Sequence, residues 1–206
     1  MKEAKPPRIS GVTELDRETA LKVIVIGASA GGIDALTQVL SRLPAGLSAA
    51  VLVVQHLHPD RRTHLHECLA RHSPMPVRLA DEEMPIEAGV VYLAVPGQHL
   101  RVARGRLTFG SGEQVNYVRP SADVLFASAA EAFGPDAIGV ILSGTGRDGA
   151  CGCQKIKAKG GVTIAQDEGT SRHFGMPKSA IEIGAIDYVL PPEEIASKII
   201  ALVTPG

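Results

Sequence analysis

The sequence predicts an α/β domain: a doubly wound, mostly parallel sheet with one antiparallel hairpin and helices on both faces. Three observations predict it. Apolar runs of strand length alternate with segments of helical periodicity along most of the chain. The runs at 23–26, 49–54 and 137–142 are continuous rather than alternating, as expected of strands covered on both faces. The composition is 45% hydrophobic but only 3% aromatic, which suits packing from aliphatic side chains.

Taken in order, residues 1–20 carry little periodicity and several charges, and read as a flexible lead-in to a domain over 21–206. A strand at 22–26 empties into a glycine-rich turn. Ile33, Leu36, Leu40 and Leu43 then recur at helical spacing, and Pro44 closes that helix. A second strand, 49–54, ends in Gln55-His56, and a helix over about 62–72 follows. Short strands are expected at 77–80 and 90–95. Leu100-Arg101-Val102 and Arg106-Leu107-Thr108 flank a turn at Arg104-Gly105 and predict the hairpin. Ser121 is placed to cap a helix running through Leu125 and Ala129 to Phe133, with Gly134 as its stop. The strand 137–142 runs into Ser143-Gly144-Thr145-Gly146-Arg147-Asp148-Gly149, and a helix reaches Lys159 before Gly160-Gly161. Then come a strand at 162–165, a long polar loop at 166–176, a short helix opened by Pro177, a strand at 186–190 and a last helix at 192–203.

In a doubly wound sheet, whatever follows a strand lies on the edge where ligands bind. Ser29 follows the first strand, His56 the second and Asp148 the strand 137–142, so parallel strands bring all three to one rim. Serine, histidine and aspartate are what nucleophilic acyl transfer requires: a nucleophile, a base to move its proton, and a carboxylate to orient the base. Each also has a structural reading. Ser29 and Asp148 are good helix caps, and His56 could be an ordinary hydrogen-bonded loop residue. The glycine-rich turn itself suits either a phosphate or an oxyanion. It lacks the full G-x-G-x-x-G spacing, however, and Gln55-His56 stands where a ribose-binding acid would be expected.

Other features narrow the function classes. A formal charge of −1 offers no bulk attraction to nucleic acid or anionic lipid. No apolar run approaches the ~20 residues needed to cross a bilayer, so no membrane insertion is expected. Three cysteines fit a reducing, cytoplasmic setting. His64, Cys68 and His72 share a helical face, with His56, His58 and His66 nearby; zinc accepts such ligands, but a partly exposed helix with unrelated histidines has the same pattern. No metal and no cofactor is assigned. Cys151 and Cys153 read as small helix-packing residues.

Five segments carry a resemblance: Gly27-Ala28-Ser29-Ala30-Gly31-Gly32, Val53-Val54-Gln55-His56, Arg119-Pro120-Ser121-Ala122-Asp123, the Gly-x-Gly-x-Asp-Gly core within 141–150, and Gly175-Met176-Pro177. In this order they resemble the catalytic domain of the chemotaxis-receptor protein-glutamate methylesterases. The resemblance implies hydrolysis of glutamate γ-methyl esters on a methylated chemoreceptor, with glutamine deamidation in some members. It implies Ser29 as nucleophile, His56 as general base and Asp148 as its partner, with Ala30, Thr145, Gly146 and Met176 around the oxyanion and pocket. Ala30 stands where the family often has threonine, and Thr145 where it often has methionine. Residues 1–20 are too few for the receiver domain that many relatives carry, so the chain is expected to be free-standing or a piece of something longer. Its tail resembles the branch fused to a receptor methyltransferase. Two rival readings follow: a non-catalytic interaction domain that keeps the fold, and a hydrolase of small free esters.

Overall fold

A computed structural model describes residues 21–56 and 64–204. Its frame is a seven-stranded sheet in the order β3-β4-β2-β1-β7-β8-β9, every pairing parallel. The strands are β1 Lys22–Ala28, β2 Ala49–Gln55, β3 Val77–Leu79, β4 Val91–Leu93, β7 Ala137–Ile141, β8 Val162–Gln166 and β9 Tyr188–Leu190. The expected hairpin, β5 His99–Ala103 with β6 Arg106–Gly110, forms a separate two-stranded sheet.

Successive side chains of a strand point to opposite faces, and the core divides accordingly. Val23 and Val25 of β1 join Phe126, Ala129, Ile156 and Leu100 on one side, under α3 (Ala122–Phe133), α4 (Ala150–Ala158), α5 (Gly175–Glu182) and the hairpin. Ile24 and Ile26 join Leu36, Leu40, Leu69, Ile195 and Ile199 on the other, under α1 (Gly32–Leu40), α2 (Leu65–His72) and α6 (Pro192–Val203). Each half is a packed aliphatic layer, and truncating a filler such as Phe126, fully buried, would cost about 3–5 kcal/mol. Among the described residues, no helix is long and apolar enough to cross a membrane.

Several boundaries differ from expectation. Strand β1 runs on through Gly27 and Ala28, so Gly27 belongs to the strand rather than to the turn. It pairs with Val54 and Ile141, and a Cβ there would lie 2.7 Å from that of Ala122. The helix expected from about 62 begins at Leu65, with His64 at its N-cap position; residues 1–20, 57–63 with His58, and 205–206 lie outside the described residues. Helix α5 starts at Gly175, two residues before Pro177. Cys153 is buried in α4 as expected of a packing residue, whereas Cys151 is exposed.

The order β2-β1-β7 matters most. β1 is the strand at which the winding reverses, and the register sets Ala28 opposite Gln55 and Gly27 opposite Ile141. The chain therefore leaves three neighbouring strands at one level, at the position where doubly wound sheets bind ligands.

Candidate active site

Ser29 is the first residue beyond β1 and half-buried. Its backbone is held from both sides: its N–H donates to Ser143 O at 3.0 Å, and its carbonyl accepts from Gln55 Nε2 at 2.8 Å. The same Gln55 amide donates to His56 O at 3.1 Å, so one buried side chain ties the exits of β1 and β2 together. His56 N–H closes the join by donating to Ala28 O at 2.9 Å.

Gly31, at φ 74°, takes the left-handed conformation that glycine adopts without penalty. A Cβ at that position would lie 2.8 Å from Ser143 Oγ and 2.7 Å from the Arg172 Cβ. That close approach lets Ser143 Oγ donate to Ala30 O at 2.8 Å while accepting from His173 N at 3.0 Å. The turn after β1 and the 166–176 loop are thus stitched through one hydroxyl. Helix α1 begins at Gly32, at the end of the glycine-rich turn, so Ala30 stands in the turn. Among the described residues, neither Ala30 N nor Thr145 N has a hydrogen-bond acceptor.

His56 and Asp148 meet as expected. The imidazole Nε2 lies 2.8 Å from Asp148 Oδ2, with the ring largely buried and the carboxylate almost entirely so. Asp148 accepts further hydrogen bonds from Ser121 Oγ (2.6 Å), Ala122 N (2.6 Å), Asn116 Nδ2 (3.1 Å) and Asp123 N (3.3 Å). Two of these donors are main-chain N–H groups at the start of α3, where the helix dipole favours negative charge. Burial alone would raise the Asp148 carboxyl, but the bonds from His56, Ser121 and Ala122 outweigh it and hold the group below the usual carboxylate range.

Here one expectation is corrected. Ser121 occupies the N-cap position of α3, but its side chain makes no capping bond to the helix. Its hydroxyl goes to Asp148, and that carboxylate caps the helix instead.

A second carboxylate lies close by. Asp123 accepts from Gly152 N at 2.7 Å and from Asn116 Nδ2 at 2.7 Å. Burial pushes its carboxyl up, and the charge on Asp148 adds to that effect against the pull of the Gly152 bond. Asn116 therefore bridges two acids with one amide nitrogen, while its Oδ1 accepts from Arg147 Nε at 3.3 Å.

The remaining expected residues divide. Thr145 and Gly146 lie exposed on the loop that leads to Asp148. Met176 is fully buried; a Cβ on Gly144 would lie 2.2 Å from its Sδ and 2.9 Å from Ser29 Cβ. Met176 thus backs the serine's turn from beneath. Ser29 Oγ itself makes no hydrogen bond to another described residue, so the serine joins the pair by position on the rim rather than by a bond. The helical histidines do not converge: His64 pairs with Glu67 at 3.3 Å, and no metal-binding cluster occurs among the described residues.

The sequence alone does not mark Gln55, Asn116 and Ser121 as bracing residues of the site. A buried glutamine at the end of an apolar strand was the one readable signal. The acceptors of Asn116 and Ser121 are set by tertiary structure.

Comparison with known proteins supplies an independent line. The sequence model of a family described as CheB methylesterase matches residues 24–199. A protein-glutamate methylesterase/protein-glutamine glutaminase 2 of Burkholderia pseudomallei is 45% identical over 182 residues, 88% of this chain and 53% of the relative. A protein-glutamate methylesterase/protein-glutamine glutaminase of Archaeoglobus fulgidus is 44% identical over 86% of this chain and 52% of its own length. The chain spans about half the length of the curated relatives it matches. The crystal structure of the Thermotoga maritima CheB methylesterase catalytic domain superposes with a TM-score of 0.85 at 39% identity, covering 89% of this chain and 100% of that one.

Proposed function

The chain belongs to the CheB methylesterase family, and from that premise we propose that it is a serine esterase hydrolysing glutamate γ-methyl esters on chemoreceptor-like signalling proteins. Ser29 is the nucleophile, His56 the general base and Asp148 the group that orients it. The observation that carries this assignment is the 2.8 Å His56–Asp148 bond on the rim that Ser29 also occupies, one strand away.

The bond supports one imidazole nitrogen as the working one. Nε2 donates to Asp148, so Nδ1 is the nitrogen left to take the serine proton. Ser29 Oγ attacks the side-chain carbonyl carbon of the ester as that proton passes to Nδ1. The carbonyl oxygen becomes an oxyanion, for which the unengaged N–H groups of Ala30 and Thr145 are the candidate donors. Removing one such donor typically costs about 3–4 kcal/mol in the barrier. The intermediate collapses, breaking the bond to the methoxy oxygen, which leaves as methanol with the proton from His56. Water, deprotonated by His56, then attacks the acyl-enzyme, releasing a glutamate carboxylate and restoring Ser29. The low-lying, multiply bonded Asp148 carboxylate stays ionised throughout and stabilises the imidazolium formed in each half. Glutamine deamidation would follow the same course with ammonia as leaving group.

The test is methanol release from a methylated receptor fragment by wild type and by Ser29→Ala. A loss on the order of 10⁶-fold is expected by analogy with nucleophile knock-outs in subtilisin. Equal rates would end the proposal, and a folded protein whose Ser29 never takes a fluorophosphonate label would point to a non-catalytic interaction domain instead.

A further inference from the structure

Beside His56 opens a cleft of about 120 Å³ whose other walls include Gly97, Tyr117, Arg119 and Pro120. Tyr117 is the outlier in it. Its side chain is 95% exposed, in a chain with only 3% aromatic residues. Its backbone is left-handed at φ 65°, as is that of Asn116 at φ 53°. That conformation is a genuine outlier for a bulky side chain, held only where the surroundings impose it.

The surroundings do impose it. Val115 and Val118 exchange backbone hydrogen bonds at 3.2 and 3.1 Å across the turn. Asn116 is pinned inward to Asp123 and Asp148, and Arg147 holds its other end. With Asn116 drawn in, the next residue is turned outward. The fold thus spends rigid, strained backbone on presenting an aromatic ring to solvent, beside the proposed general base and off the same turn that braces its aspartate.

Among the described residues no hydrogen bond or cation engages that ring, and an aromatic of this kind buries about 150–250 Å² when covered. We propose that Tyr117 is a substrate-docking residue: its ring receives the polypeptide surface flanking the target glutamate ester, and the cleft takes an adjoining side chain. This rests on the esterase reading above. The occupant follows from the walls: Tyr117, Gly97, Val118 and Pro120 offer apolar contact, while the Arg119 guanidinium disfavours a cation. The flanking residue is therefore apolar rather than a lysine or arginine. Rigid exposed aromatics fit such a role, because little conformational freedom is lost when they are covered.

The experiment compares wild type, Tyr117→Ala and Tyr117→Phe on two esters. One is a methyl-labelled chemoreceptor cytoplasmic fragment, the other the γ-methyl ester of N-acetylglutamate α-amide, which has no flanking surface. In Tyr117→Ala the KM for the fragment should rise about tenfold or more with kcat nearly held. The ratio of kcat/KM values, fragment over small ester, should fall by a similar factor, and Tyr117→Phe should restore most of both. A fragment KM within twofold of wild type overturns the proposal. So does an equal fall on both esters, which marks a structural role. A wild-type protein inert on both sinks the esterase reading and this docking role with it, a result distinct from an active enzyme whose KM ignores Tyr117.

Discussion

Ser121 stands at the N-cap of α3 yet gives its hydroxyl to Asp148, 2.6 Å away, and the helix is capped by that carboxylate. The helix start and the proposed catalytic aspartate are therefore one electrostatic unit: disturbing either disturbs both.

Ser121→Ala should lower stability at pH 7 by roughly 1–3 kcal/mol, the usual cost of a buried hydrogen bond to a charged group. The effect is pH-dependent with a definite sign. The folded Asp148 carboxyl lies below its ordinary value, so its stabilisation is complete above about pH 4, the usual unfolded value, and is lost as pH falls through the folded one. Asp123, raised by burial, works in the opposite direction, its penalty easing as pH drops. Both backgrounds contain Asp123, so the difference between wild type and variant isolates the Asp148 contribution. Urea unfolding at pH 7, 4 and 3 should show that difference shrinking toward acid pH.

Asn116→Ala removes a shared donor from two neighbouring carboxylates. The expected result is a fall in kcat of about tenfold to hundredfold, worth ~1.4–2.7 kcal/mol of barrier. Asn116→Asp should be worse, since it adds a third negative charge to the cluster. Steady-state kinetics on the methylated fragment decide the ranking.

Gly144→Ala should cripple the protein, because the added methyl would sit 2.2 Å from Met176 Sδ and 2.9 Å from Ser29 Cβ. Overpacking of this kind typically costs about 1–3 kcal/mol. Trimming Met176 to alanine in the same chain relieves the nearer clash only. Thermal stability should recover in part, while methanol release stays low because Ser29 is still displaced.

Gln55→Glu exchanges the amide that holds Ser29 O and His56 O for a group with no N–H to give. Two lost hydrogen bonds and a buried acid should together cost about 2–5 kcal/mol, read as a lower melting temperature at pH 7. The loss should ease at acid pH, where the introduced carboxyl is neutral.

Much of this was legible in the sequence because it depends on local pattern. The continuous apolar runs marked strands covered on both faces, and a doubly wound sheet then located Ser29, His56 and Asp148 on one rim without any distance being known. The braces behind them were not legible. A serine before a helix looks the same whether it bonds to that helix or to an aspartate 27 residues away, as Ser121 does. Asn116 had no readable partner, since its acceptors converge only when α3 and the Asp148 loop pack together. Gly27 resembled part of a turn because glycine is usually placed by backbone conformation. Here it is dictated by space, at the close approach of Ala122.

The adjacency of β2, β1 and β7 also fixes the scale of the site. Neighbouring strands lie about 4.8 Å apart, a pitch that backbone hydrogen bonding fixes and side chains barely alter. The exits that carry His56, Ser29 and the Asp148 loop inherit that pitch as a ruler. The hairpin of β5 and β6, set in its own sheet and threaded between β4 and α3, lies off the ruler. It still reaches the site, because His99 Nδ1 accepts from Ser121 N at 3.2 Å, so a change in the hairpin would act on the brace of Asp148 without altering the spacing of the strand exits.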